Sequence, residues 1–164
     1  MSLNPGRFTV SADAGQEVTV FLIGMRLNKP LAITRWWPVL TAMPRMLRHL
    51  ADDQDAGMLS FQSWFGRTTV LLSYWRSPEH LQRFASASDA PHLPAWRDFV
   101  RRVGEDGTVG VWHETYVVPA SAREVVYVNM PEFGLGKALG AERIGAGAHT
   151  AKQRLRRGYS HRSD

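Results

Sequence analysis

The chain reads as an α+β protein of the ferredoxin-like type, an antiparallel sheet with helices on one face. Three features carry that reading. Strand-like and helix-like segments follow one another as β-α-β-β-α-(α)-β, with the second helix split in two and a short extra strand at the end. The segment Val18 to Arg26 (VTVFLIGMR) is apolar on both faces, so it lies inside a layered fold. Two strand-like runs, Met58 to Phe65 and Thr68 to Trp75, flank Gly66-Arg67 as a tight hairpin would.

Each element has a local reason. Residues 1–17 hold Asn, Pro, two Gly and Asp and are expected to be an extended lead-in. Leu31 to Asp52 spaces Trp36, Leu40, Met43, Leu47 and Leu50 by four, three, four and three, the pattern of a helix buried along one stripe. Pro44 removes the bond that its amide would make to Leu40 and predicts a kink there. Ser77-Pro78-Glu79 starts a helix, with Ser as the cap, Pro at the first position and an acid in the first turn. Leu81, Phe84 and Ala85 give its buried edge. A further helix is expected from Asp89-Ala90-Pro91 to Val103, with His92, Trp96, Phe99 and Val103 on one stripe. Thr108 to Val118 and the shorter Glu124 to Asn129 are the last strands.

Residues 18–133 are therefore expected to form the folded domain. Residues 134–164 are dense in Gly and are expected to be mostly disordered, with a helical piece around Thr150 to Arg157. The net charge is +5, and its location matters more than its size. From Lys137 onward there are seven basic and two acidic residues, so positions 1–136 are balanced at 13 of each. A neutral body gives no electrostatic footprint for a nucleic acid.

Composition excludes several chemistries. There is no Cys, which removes thiolate catalysis, disulfides and Cys-based metal sites, and suits a cytoplasmic location. No apolar run is long enough to span a bilayer: Leu31 to Leu50 is interrupted by Arg35, Arg45, Arg48 and His49. No membrane or nucleic-acid partner is expected. The six His include no HxxxH or HExxH pair, and His113 and Glu114 are strand neighbours pointing to opposite faces, so no metal site is expected. Gly134-Leu135-Gly136 lacks the third Gly of a dinucleotide loop.

What remains is a set of aromatic and ionisable residues. His92 shares a helical stripe with Trp96 and Phe99 and is expected to point inward. An imidazole there either serves as a core group bonded to a carbonyl or acts as a base for a phenolic proton. His80, in the first turn of its helix, is a second candidate. Trp64, Trp75, Trp96 and Trp112 come from three strands and a helix and are expected to surround one layer. Glu114, Trp112 and Tyr116 share one strand face, where a carboxylate is either paired or functional.

The strings FLIGMRLN, WWPVLTAMPRML, SWFGRTTVLLSYWRSPEHLQRFA, HLPAWRDF, GVWHETYVV and YVNMPEFGLGKA together resemble the monooxygenase-like family of small bacterial and fungal proteins. That family is grouped with the antibiotic biosynthesis monooxygenases, and the resemblance covers about residues 18–138. It implies a dimeric α/β barrel, a homodimer whose pockets lie between sheet and helices. Some members of the superfamily oxidise polycyclic phenols with molecular oxygen and no cofactor, others bind haem, and others do neither. In haem-degrading members a His follows the third strand on a helix, a place comparable to His92. Their first-strand Asn has no counterpart in VTVFLIGMR, since Asn28 lies just past it.

The resulting expectation is a cofactor-independent monooxygenase acting on an apolar, phenolic or terpenoid small molecule. His92 would be its acid–base residue, with Trp64, Trp75, Trp96, Trp112, His80 and Glu114 around the substrate. Two alternatives stand beside it: a haem-binding protein of the same fold, and a non-catalytic small-molecule-binding or stress protein.

Overall fold

In the computed structural model, the described residues form two separate antiparallel sheets from seven strands. The structure describes residues 4–11, 17–37, 40–41, 54–86 and 106–160. The strands are β1 (Asn4–Val10), β2 (Glu17–Leu27), β3 (Met58–Trp64), β4 (Val70–Trp75), β5 (Val109–Pro119), β6 (Tyr127–Met130) and β7 (Ala141–Arg143). Helical residues 33–37 are called α1 here, followed by α2 (Pro78–Ser86), α3 (Gly134–Leu139) and α4 (Ala151–Ser160).

The larger sheet has the order β3-β4-β2-β5. Taking its strands in chain order, this is the ferredoxin-like arrangement, with the first strand flanked by the third and the fourth. Opposed residues in an antiparallel pair share a face, so the register sorts the side chains. Thr19 lies opposite Trp75 and Val117, and Ile23 lies opposite Leu71 and His113. Phe21, Met25, Ser73 and Val109 belong to that same face. Two apolar clusters cover it. Met25 and Val109 are buried under Trp36 and Leu40, beside Leu27. Trp75 and Leu81 are buried with Phe21, Met58 and Phe84 around them. Helices α1 and α2 therefore sit on one face, as expected.

The local signals explain these helices. Ser77 Oγ accepts the amide of His80 at 3.5 Å and lies 3.0 Å from its Nδ1, so the capping residue also fixes the imidazole. The hairpin departs from the expected two-residue turn. Trp64 pairs with Val70, and residues 65–69 form a longer loop. The reason is competition from β2: Thr69 N donates to Met25 O, and Leu27 N donates to Arg67 O, each at 2.8 Å.

The smaller sheet, β6-β1-β7, overturns two expectations. The lead-in is a paired strand: Phe8 lies opposite both Tyr127 and Arg143. The Gly-rich stretch, expected to be mostly disordered, supplies α3, β7 and α4 over residues 134–160. The expected helical piece is α4. Its start is a capping box, in which Gln153 N donates to Thr150 Oγ1 at 3.2 Å and Thr150 N donates to Gln153 Oε1 at 2.9 Å. Arg154 then ion-pairs with Glu124, and Arg157 with Glu142 at 2.8 Å. Glycine density lowers local propensity, but these long-range contacts outweigh it.

Helix α3 joins the two sheets. It packs on β3 and β4 from the face opposite α1 and α2, where Ser60 Oγ donates to Gly134 O at 3.3 Å. Gly134 has φ +53°, and a Cβ there would stand 3.3 Å from the Tyr127 hydroxyl and 3.4 Å from that of Tyr74. Gly136 N donates to Tyr127 Oη at 3.1 Å, and a Cβ on Gly136 would press to 2.8 Å from the Tyr127 ring. The Gly134-Leu135-Gly136 run thus serves close packing between a helix and two tyrosines.

Candidate functional site

The helix-facing side of β2, β4 and β5 is the candidate surface for a small apolar ligand. Its floor carries Phe21, Ile23, Leu71 and His113, between the α1 cluster and the α2 cluster. His113 is exposed, and its ring centroid lies 5.9 Å from that of Phe21. Among the described residues it is the only histidine carried by a strand. An imidazole beside an aromatic ring can contact a flat ligand and exchange a proton with it.

The candidates named from sequence divide between the two faces. Trp75 lies on the helix-facing side but is 2% exposed, with its indole N–H donated to Ser73 Oγ at 2.9 Å. Its ring packs on Phe84 at 5.6 Å, so it is a core residue beneath α2. Trp64 lies opposite Val70, five residues from Trp75, and therefore on the other face. Trp112 lies opposite Gly24 and shares that other face. The tryptophans do not surround one layer, because strand parity separates Trp75 from Trp64 and Trp112.

Trp64 is 45% exposed and meets Phe133 edge-on at 6.2 Å. Trp112 needs Gly24: a Cβ there would stand 2.9 Å from the indole nitrogen and 2.0 Å from Thr69 O. Glu114 is paired, since Tyr116 Oη donates to its Oε2 at 2.7 Å. The carboxylate raises the Tyr116 pKa above the ordinary phenol value, first by accepting that bond and then by repelling the phenolate. Both lie on the face away from α1 and α2, as Trp112 does. His80 is half-buried and packs closely over Gly57. His92 and Trp96 lie outside the described residues.

His113 was within reach of sequence reading. Val109, Val111, Thr115 and Val117 share its parity in β5, so an imidazole interrupts an otherwise apolar or β-branched row. Its neighbour Glu114 draws attention as the charged residue but lies on the opposite face. Among the described residues, no group of three His, Asp or Glu side chains could hold a metal ion. Nor is any described helix long and apolar enough to cross a membrane.

The chain is similar to Monooxygenase af470 of Aspergillus fumigatus, with 28% identity over 134 residues, 74% of this chain and 46% of the relative. It thus spans less than half the length of that curated relative. Among solved structures it is similar to two aldoxime dehydratases. The OxdRE complex with butyraldoxime has 18% identity and a TM-score of 0.62, covering 78% of this chain and 38% of that one. A second has 21% identity and a TM-score of 0.65, covering 87% and 42%. At these identities the structures establish the fold. Residues 18–135 match the family described as Monooxygenase af470-like, most of the chain and all of the larger sheet but Glu17, and the protein belongs to that family.

Proposed function

We propose that this chain is a monooxygenase that oxidises an apolar, phenolic or terpenoid small molecule bound between the larger sheet and its helices. The observation that carries the reading is His113 against Phe21 on the helix-facing floor, inside the residues that match the monooxygenase family. The partner molecules are the substrate and molecular oxygen, with no cofactor required.

The chemistry balances without a further reductant. An imidazole accepts the phenolic proton, and the resulting anion is electron-rich enough to react with oxygen. One oxygen atom stays on the ring as a second carbonyl, the other leaves as water, and the phenol becomes a quinone. We assign proton acceptance to His92, on the expected helix that follows α2. His113 lines the floor and stacks on the substrate. Apolar walls exclude water, which keeps the phenolate and the oxygen adduct from competing reactions.

The proposed assembly is a homodimer. On the face opposite α1 and α2, Val20, Leu22, Leu72 and Trp112 are half-buried within one chain, and Tyr116 is 51% exposed. A second copy of the same sheet would complete that layer as a dimeric barrel.

The test is oxygen uptake by the purified protein over a panel of polycyclic phenols, with product analysis by mass. Saturable uptake with one oxygen atom incorporated supports the proposal. Ligand binding without uptake over the whole panel would make the protein a non-catalytic binder. An absorption band near 400 nm that moves on His92→Ala would assign that imidazole to haem.

A further inference from the structure

At the end of the larger sheet where β2 stops, residues 28–32, α1 and the β3–β4 loop 65–69 lie side by side. Leu27 N donates to Arg67 O at 2.8 Å, and Asn28 N and Lys29 N both donate to Thr108 O, at 3.0 and 3.2 Å. Trp36 Nε1 donates to Pro30 O at 3.0 Å, which fixes the loop to the start of α1. This end exposes its apolar side chains. Leu31 is 94% exposed and Phe65 73%, the highest values for large apolar side chains among the described residues, and Ile33 and Trp37 are more than half exposed. Single exposed apolar residues are ordinary on a soluble surface, whereas several at one end mark a contact.

Cations share that end. Arg26 Nη1 donates to the Thr68 hydroxyl at 2.9 Å, Arg67 Nε to Leu27 O at 3.3 Å, and Lys29 Nζ to Asp106 O at 3.4 Å. These acceptors are uncharged, so the bonds fix the three side chains without cancelling their charge. The Asp106 carboxylate accepts Thr108 N at 2.7 Å and lies 3.6 Å from Arg35. Among the described residues, this end therefore has four cations, Arg26, Lys29, Arg35 and Arg67, against the one carboxylate of Asp106.

We propose that this end docks on the surface of an anionic lipid bilayer, with Leu31, Ile33, Trp37 and Phe65 among the headgroups and the cations facing lipid phosphates. Apolar side chains rimmed by Lys and Arg have the composition that lies in a membrane interface, and an indole suits the headgroup level. Charge complementarity selects the occupant. A second copy docked end to end would bring the same excess of cations against these, which opposes association. Lying on a bilayer needs no spanning run, so a sequence read for spans gives no hint of it. The same end carries Trp36 and Leu40 over Met25 and Val109, so docking would hold the α1 side of the candidate floor at the bilayer, where apolar molecules dissolve. That consequence rests on the oxygenase reading; the docking does not, and it is measured without turnover.

The test is flotation of the full chain with vesicles of phosphatidylcholine and phosphatidylserine, beside vesicles of phosphatidylcholine alone. The chain is expected to float with the anionic vesicles and to be partly released as sodium chloride screens the charges. Leu31→Ser combined with Phe65→Ser should weaken binding by about tenfold or more, and Lys29→Gln by about fivefold. Val126→Ser combined with Val128→Ser, exposed apolar positions on and beside β6, should leave it unchanged. Absence of flotation by the wild-type chain with anionic vesicles overturns the proposal, and that result needs no variant to fold. If the chain fails to float and the Leu31 and Phe65 pair lowers its light-scattering mass, this end is a contact between chains instead. Binding kept in the folded Leu31 and Phe65 pair but lost in Lys152→Gln with Arg156→Gln would move the contact to α4 and overturn the proposal equally.

Discussion

Replacing His92 and His113 separates acid–base chemistry from substrate contact. His92→Phe removes the proposed proton acceptor while keeping a ring on the stripe expected from the sequence spacing of Trp96, Phe99 and Val103. Oxygen uptake is expected to fall by about 100-fold, the scale of one general base, with Tm near that of the wild type. If the imidazole instead serves a buried carbonyl, the same change costs about 1–3 kcal/mol of stability and leaves turnover alone. His113→Ala removes the ring against Phe21 and is expected to raise KM several-fold with a smaller effect on kcat. A large kcat loss on His113→Ala with unchanged turnover on His92→Phe would exchange the two roles. Oxygen-electrode kinetics beside thermal melts of each variant decide it.

Among the elements, α3 and α4 carry consequences that glycine content conceals. Truncation after Lys137 removes the end of α3, strands β1 of its partner β7, and strips Glu124 of Arg154. Breaking a pair this well buried costs about 3–5 kcal/mol, so a fall in Tm of about 10 °C is expected for a domain of this size. Calorimetry on the truncated chain and on Arg154→Ala checks it, and an unchanged Tm in both would show that the tail adds nothing to stability. The tyrosines against α3 predict an alkaline limit. Burial raises the Tyr74 pKa above the ordinary value of 10.0, with Tyr127 adding repulsion, and burial likewise raises that of Tyr127 against the backbone bonds that lower it. The folded state thus favours the neutral phenols. Their contribution is fully present below pH 10 and is lost as pH climbs through the raised values. Denaturant melts from pH 8 to 11 should show stability falling above pH 10, and less steeply in Tyr74→Phe.

For the whole molecule, the open sheet face makes the oligomeric state the decisive property. Val18 and Thr19 point to opposite faces and are 1% and 0% exposed, so one end of β2 is covered on both sides within a single chain. Further along, Val20 to Ile23 are only half-buried. Light scattering is expected to give twice the chain mass of 18.4 kDa at micromolar concentration. Tyr116→Lys, which places a cation on the exposed part of that face, is expected to shift the mass towards one chain. A wild-type mass of one chain would remove the dimeric barrel.

The larger sheet was legible in the sequence because its signals are local. Alternating side chains, Ser77 before Pro78, and the apolar run of β2 each act within a few residues, and the strand order follows once crossovers are required. The smaller sheet was not legible, since it depends on contacts remote in sequence: Gly6 N finds Asn129 Oδ1 across 123 positions at 2.9 Å. Local propensity made residues 134–160 look unable to pack, whereas Glu124, Glu142 and the Tyr127 hydroxyl supply partners from elsewhere in the chain. The candidate site divides in the same way. Composition could name His and Trp as the groups to consider, and parity could set His113 on an apolar row, but only the register against β2 and β4 assigned that row to the helix-facing floor, Trp75 to the core, and Trp64, Trp112 and Glu114 to the opposite face. A one-residue change in parity reverses a side chain's surroundings, and parity becomes meaningful only when tertiary packing decides which face the helices cover.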